Sequence, residues 1–221
     1  MRKTVFMLFF CFTGAFLNIV LNKSLTAAGG IGLPLYLDTL LTVTVTFLGG
    51  LFWGSLTGAL TNIVGHTINF WGWEGYLFTL CNIATAIITW MFIRFFPREL
   101  KLSWQRKSAP EINHPGSHFF TRIMNRVVVL ILLSFALCLA MSILGGLISA
   151  LIQIITNSPA DEMKLKALLG HSMFSQLPIV LSEILSRIPI NIIDRIISAF
   201  GGFGLALIIN RVTVNISSPK P

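Results

Sequence analysis

Asp194 and Arg195 lie side by side in an otherwise apolar run, with Asn191 one turn before them and Arg187 two turns before. A charge at the centre of a bilayer costs roughly 2.5–3.5 kcal/mol on insertion scales. Such residues either escape to the interface or line something. Asp38, Glu74, Asn82 and Gln153 interrupt other apolar runs. Acids, bases and amides brought from several helices to one end of a bundle make a polar pocket, and its chemistry is solute capture by hydrogen bonds and ion pairs. Each residue also has a plainer use. Asp194 can pair with Arg187 or Arg195. Asp38 and Glu74, near helix starts, suit the helix dipole. Arg195 is long enough to snorkel to the interface, whereas Asp194 is too short.

Other chemistries leave no trace. The sequence holds no GxxxxGK[ST], no HExxH and no GxSxG, which removes the phosphate-cradling, zinc-hydrolase and serine-elbow signatures. His114 and His118 are four apart, but Pro115-Gly116 between them argues against a helical metal pair. His66 ends an apolar segment beside Trp71 and Trp73 and reads as an interfacial polar tip. Cys11, Cys81 and Cys138 lie in separate apolar runs and give no disulfide or zinc framework. The expectation is a protein without catalytic residues, metal or cofactor.

The elements that carry these residues follow from composition. Of 221 residues, 54% are hydrophobic and 11% are charged, against about 25% charged in a soluble domain. The chain therefore reads as an all-α integral membrane protein forming one membrane domain over residues 1–221. Six transmembrane helices are expected at about 4–24, 35–48, 51–68, 75–96, 122–156 and 189–210. The first is read as a retained helix rather than a cleaved signal, because its apolar stretch is long for one. Gly49-Gly50 turns the chain between the second and third. Residues 97–121 form a polar loop, and 157–188 form the second large loop, with a short surface helix to about Leu169 and an amphipathic piece over 177–186. Pro189 fits the first turn of the sixth helix. That start would place Asp194 roughly 7 Å deep at 1.5 Å per residue.

Six helices put both termini on one side, and the charges choose it. The side with the termini and the 97–121 loop, flanking helix ends included, holds eleven of the sixteen Lys and Arg residues, while six of the eight acids fall on the other side. Basic loops mark the cytoplasm, so both termini are expected there. Arg187, Asn191, Asp194 and Arg195 then belong to the external end. Small residues recur every fourth position at Gly50, Gly54 and Gly58, as close helix packing requires. Thr42 and Thr46 of the second helix suit bonds to their own backbone.

Two segments, "LPLYLDTLLTVTVTFLGGLFWGSLTGALTNIVGHTINF" and "IPINIIDRIISAFGGFGLALIIN", resemble the substrate-binding S component of energy-coupling factor (ECF) transporters. The similar features are "LPLYLDT" leading into a short second helix, the Gly-Gly turn, the glycine-spaced third helix, and a last helix opening with Pro, Asn and Asp. The resemblance covers about half of the chain. It implies a six-helix protein of the prokaryotic plasma membrane that captures a vitamin or similar small nutrient from outside. It implies a membrane-embedded T component and two cytoplasmic ATPases as partners, which would account for the absent phosphate-binding motif. The substrate-binding positions it implies are Asn82, Gln153, Asn191, Asp194 and Arg195, with Asp38 and Glu74 nearby. Segments 29–36 and 157–188 would close over the solute. Docking to the T component through small residues four apart on the first helix finds its nearest match in Cys11 and Ala15, with Gly14 beside them.

The alternative is a sensory or scaffolding membrane module. Residues 211–221 are too short for an output domain, so a sensor would act through a separate signalling partner. An intramembrane enzyme would need activity that depends on Asp38, Glu74 or Asp194.

Overall fold

The computed structural model describes residues 2–27, 37–69, 73–102, 117–156 and 177–217. Expectations that fall on 28–36, 70–72, 103–116 and 157–176 lie outside the described residues. They include one closing segment, most of the other, the surface helix to Leu169, Trp71 and His114.

Helix is the only regular structure among the described residues. Helix α1 covers Arg2–Ala27. A 3-10 turn, Leu37–Thr39, leads into α2, Leu40–Gly49, and α3 follows at Leu51–Asn69. The short α4, Glu74–Leu77, is separated by Phe78 from α5, Thr79–Phe95. Pro97 opens the short α6, Pro97–Leu100, at a position where its missing N–H costs nothing. Two long helices complete the chain, α7 at Ser117–Thr156 and α8 at Ile179–Ser217. Gly50 adopts φ 87° between α2 and α3, a conformation that side chains disfavour.

Among the described residues, four helical stretches are long and apolar enough to cross a membrane: Thr4–Lys23, Glu74–Phe95, Phe120–Thr156 and Ile179–Thr213, and Leu37–Gly49 is a shorter apolar helix. The side chains are distributed for lipid. Phe9, Phe12, Phe16, Phe52 and Phe135 stand exposed, while Thr, Ser and Asn fill the interior beside Val43, Phe47, Leu133, Leu137 and Phe203. In a bilayer nothing drives apolar side chains inward, and association rests on packing and hydrogen bonds. The chain is an integral membrane protein of that kind.

Three sequence expectations need correction. The last helix starts at Ile179, ten residues before Pro189, so Pro189 lies inside it and the amphipathic piece expected in the external loop is continuous with it. The fifth helix starts at Ser117, inside the expected polar loop. The fourth is broken at Phe78 into α4 and α5. Proline is tolerated within a membrane helix because neighbours re-satisfy the freed backbone groups.

Helix α2 runs alongside α8 in the same direction. Thr39 meets Ser198, a side chain at Gly202 would touch Val43, and Phe47 packs edge-on to Phe203 at 5.1 Å. Helices α1, α3 and α5 enclose α2 from the other side.

Candidate functional site

The described polar residues fall into two groups, and hydrogen bonding separates them. The first group bonds its own helix. Thr44 donates to the Leu40 carbonyl at 2.9 Å and Thr46 to that of Thr42 at 2.7 Å. Thr57, Thr61, Thr85, Thr89 and Ser134 do the same within α3, α5 and α7. These hydroxyls are satisfied without help and have no need of a ligand.

The second group reaches between helices and gathers where α2 begins. Asn82 of α5 donates to Asp38 Oδ2 at 3.3 Å. Arg195 of α8 donates to the Thr39 hydroxyl, and Thr39 shares a hydrogen bond with Ser198 at 3.3 Å. Arg195 also meets Asp194 Oδ2 at 2.9 Å. One turn earlier on α8, Asn191 donates to Ser142 of α7 at 2.9 Å. Asp38 and Asp194 both lie within electrostatic reach of the Arg195 guanidinium. Cys81 feels Arg187, Arg195 and Asp38 together. Side chains of α2, α5, α7 and α8 thus meet in one polar cluster.

This cluster is deep. Asp194 is 15 residues from the start of α8 at Ile179, or about 22 Å along the axis. The expected depth of roughly 7 Å, measured from Pro189, is corrected accordingly. Ser142 lies 14 residues before the end of α7 at Thr156, which gives about 21 Å. Helix α2 begins at this level while α7 and α8 continue beyond it, and the cluster forms a polar floor there. Asp194 is 0% exposed and Arg195 5%. Arg195 therefore does not snorkel. It turns inward, because Thr39 and Asp194 offer it partners that the bilayer core does not.

Arg187 stands two turns above Arg195 on α8. It donates to Ser149 at 2.6 Å and lies over the Phe78 ring, 5.4 Å from its centroid. Both Asp38 and Arg187 are half-buried, whereas Asp194 and Arg195 are buried. Phe78, Ser149 and Thr39, which meet the arginines, and Ser142, which meets Asn191, are not evident as partners from the sequence. Ser142 and Ser149 lie on the polar face of α7, which was the available signal; their partners depend on how α7 and α8 are juxtaposed.

Two of the sequence candidates stand apart. Gln153 is half-buried on α7, eleven residues past Ser142 and about 16 Å higher. Glu74 opens α4, eight residues before Asn82. Neither has a contact to the floor among those described. Cys11, Gly14 and Ala15 are buried inside the bundle. The Cys11 thiol faces the Trp53 carbonyl at 4.0 Å, and Gly14 lies against Thr57, Val45 and Leu41. Docking a partner through these three would first require α1 to leave its seat.

No protein family matches the chain, and no curated protein or solved structure is similar to it.

Proposed function

We propose that the protein is the membrane-embedded solute-capture subunit of an ECF-type transporter. In this reading six segments cross the plasma membrane of a prokaryotic cell: α1, α2 with its leading turn, α3, α4 with α5, α7 and α8. Both termini are cytoplasmic. A vitamin or similar small nutrient enters from outside, settles above the start of α2, and is carried across by reorientation against a T component driven by two ATPases. The protein itself performs no catalysis.

The observation that carries the reading is the meeting of Asp38, Asn82, Asp194 and Arg195, from three helices, at the buried start of α2. Buried charge costs several kcal/mol unless paired and hydrogen-bonded, and solute binding is a use that would offset that cost. Asp194 and Arg195 do hold each other, yet Arg195 also spans to α2. The grouping is thus a shared floor rather than an isolated local pair.

Native mass spectrometry of the protein purified from its own cells in mild detergent tests the proposal. The expected spectrum shows a retained small molecule, together with complexes containing one further membrane subunit and two ATPases. A kinase or regulator in place of those subunits, with no small molecule, would replace capture by sensing.

A further inference from the structure

Helix α8 holds Pro189 in its interior. Proline has no N–H, so the Leu185 carbonyl one turn earlier loses its helix bond, and the proline ring crowds it. Helix α7 holds Gly145-Gly146 in its interior, and glycine holds a helix less firmly than any other residue except proline. These two weak points lie side by side. A Cβ at Gly146 would meet the Ile184 backbone nitrogen at 2.8 Å, and one at Gly145 would meet Arg187 Nη1 at 3.0 Å. Both helices are therefore weakened at one level, between Ile184 and Pro189.

Contacts differ on the two sides of that level. On the side of the polar floor, both helices are tied to the rest of the bundle. Ser198 of α8 meets Thr39 at 3.3 Å, Phe203 packs on Phe47, and Thr85 of α5 donates to Met141 of α7 at 3.4 Å. On the other side, the end of α7 and the start of α8 hold each other. Gly146 lies against the Ile184 backbone, and Arg187 donates to Ser149 at 2.6 Å. Leu147, Leu151, Ile154, Ile179 and Leu181 are exposed there, and fluid lipid offers them no fixed seat. Toward α5, this pair of helix ends lays Arg187 over the Phe78 ring. Phe78 is itself the break between α4 and α5.

We propose that residues 147–156 and 179–188 form one arm that swings about Gly145-Gly146 and Pro189, parting Arg187 from Phe78. Close packing of Gly146 on Ile184 keeps the two halves of the arm together. Hinge motions of this kind run on the microsecond to millisecond scale. A swing of about 20°, the size of a marked kink, carries the tip of an arm about 15 Å long through about 5 Å. Asp194 is completely buried, so nothing reaches it unless helices part. The use of the swing as a way in rests on the capture reading; the hinge itself does not.

Pulsed electron double resonance on the full-length protein in lipid nanodiscs tests the hinge, with Cys11, Cys81 and Cys138 replaced by alanine. Spin labels at Leu80→Cys on α5 and Ile179→Cys at the arm's tip read the swing. Leu80→Cys with Ile196→Cys, beyond Pro189 on the same helix, is the control pair. All three label sites are exposed. The arm pair is expected to show a second population displaced by about 5 Å, and the control pair a single one. Pro189→Ala restores the missing N–H and should leave the arm pair with one population. Pro189 is exposed, so Pro189→Leu carries the same comparison should the alanine variant not fold. A single population for the wild-type arm pair overturns the hinge. So do two populations that persist without Pro189, or a second population shared by the control pair. The small molecule sought by native mass spectrometry decides capture separately. A swing without a retained molecule keeps the hinge and removes its use, and a retained molecule without a swing does the reverse.

Discussion

Among single residues, Asn18 decides whether the floor exists. It is completely buried on α1. Its Oδ1 accepts the Leu41 N–H at 2.9 Å, and its Nδ2 donates to Thr61 at 3.2 Å and to Thr42 at 3.4 Å. Leu41 is the second residue of α2, whose amide has no carbonyl within its own helix. Thr39, the residue in the usual capping position, makes no cap bond; its hydroxyl serves Arg195 and Ser198 instead. Asn18 therefore caps α2 from another helix and frees Thr39 for the site. Replacing Asn18 by Leu strands a buried N–H, which costs about 1–3 kcal/mol. The expected result is a lower thermal midpoint in detergent together with weaker ligand retention, and an unchanged midpoint would show that the cap is idle. The sequence made Asn18 visible as a polar position on the face of α1. It could not reveal the role, because the partners lie 23 to 43 residues away and depend on how α1 crosses α2 and α3. Asp194 and Arg195 were legible for a simpler reason: charges are rare in membrane helices, so their mere presence marks a site.

At the level of elements, close helix approach fixes the walls. A Cβ at Gly54 would run into the Thr46 hydroxyl, and one at Gly58 would meet the Asn82 Cβ and carbonyl oxygen at 3.0 Å. Helix α3 thus touches α2 through one glycine and α5 through the next. Gly58 bears directly on the site, because it backs the residue that bonds Asp38. Gly58→Ala pushes on helix backbone, which yields poorly, so a loss of about 1–3 kcal/mol is expected from overpacking, together with reduced ligand affinity as Asn82 moves. Gly204→Ala, which meets nothing within 4 Å, is the control and should leave both unfolding midpoint and affinity unchanged. Glycines four apart were readable from sequence as a packing stripe, since that spacing returns to one helix face. The reach of α8 was not. Pro189 looks like a first-turn proline, and only tertiary packing reveals that the helix continues through it to Ile179. That reading counted Asp194 five residues from the start of its helix, where the distance is fifteen. The fifth helix failed in the same way: residues 117–121 carry loop-like polarity, yet Ser117 starts α7.

The whole molecule is polarised along its length. At one end Met7 of α1 would touch a side chain at Gly49, Phe47 meets Phe203, and Arg126 lies over Phe203 at 5.3 Å while donating to the Glu99 carbonyl at 2.9 Å. The start of α1, the α2–α3 turn, α6, the first turns of α7 and the later part of α8 therefore share this end. The ends of α5 and α8 bring Arg94 and Arg211 to the same region, beside Arg98 and Lys101. The opposite end carries Lys23 and the start of α8. Such an imbalance favours an orientation with the basic end inside, which in the proposed reading turns the polar floor toward the outside. Helices α7 and α8, with 40 and 39 residues, are about 60 Å long at 1.5 Å per residue. They exceed the hydrocarbon core of about 30 Å, so their ends stand in water on both sides and can be labelled there. With Cys11, Cys81 and Cys138 replaced by alanine, single cysteines at Lys23, Ile179, Arg98 and Arg211 report the sides. A membrane-impermeant maleimide is expected to label the first two in intact cells, and the last two only after permeabilisation. Labelling of Arg98→Cys or Arg211→Cys in intact cells would turn the bundle over. The floor at Asp38 and Asp194 would then face the cytoplasm, and uptake from outside could not begin there.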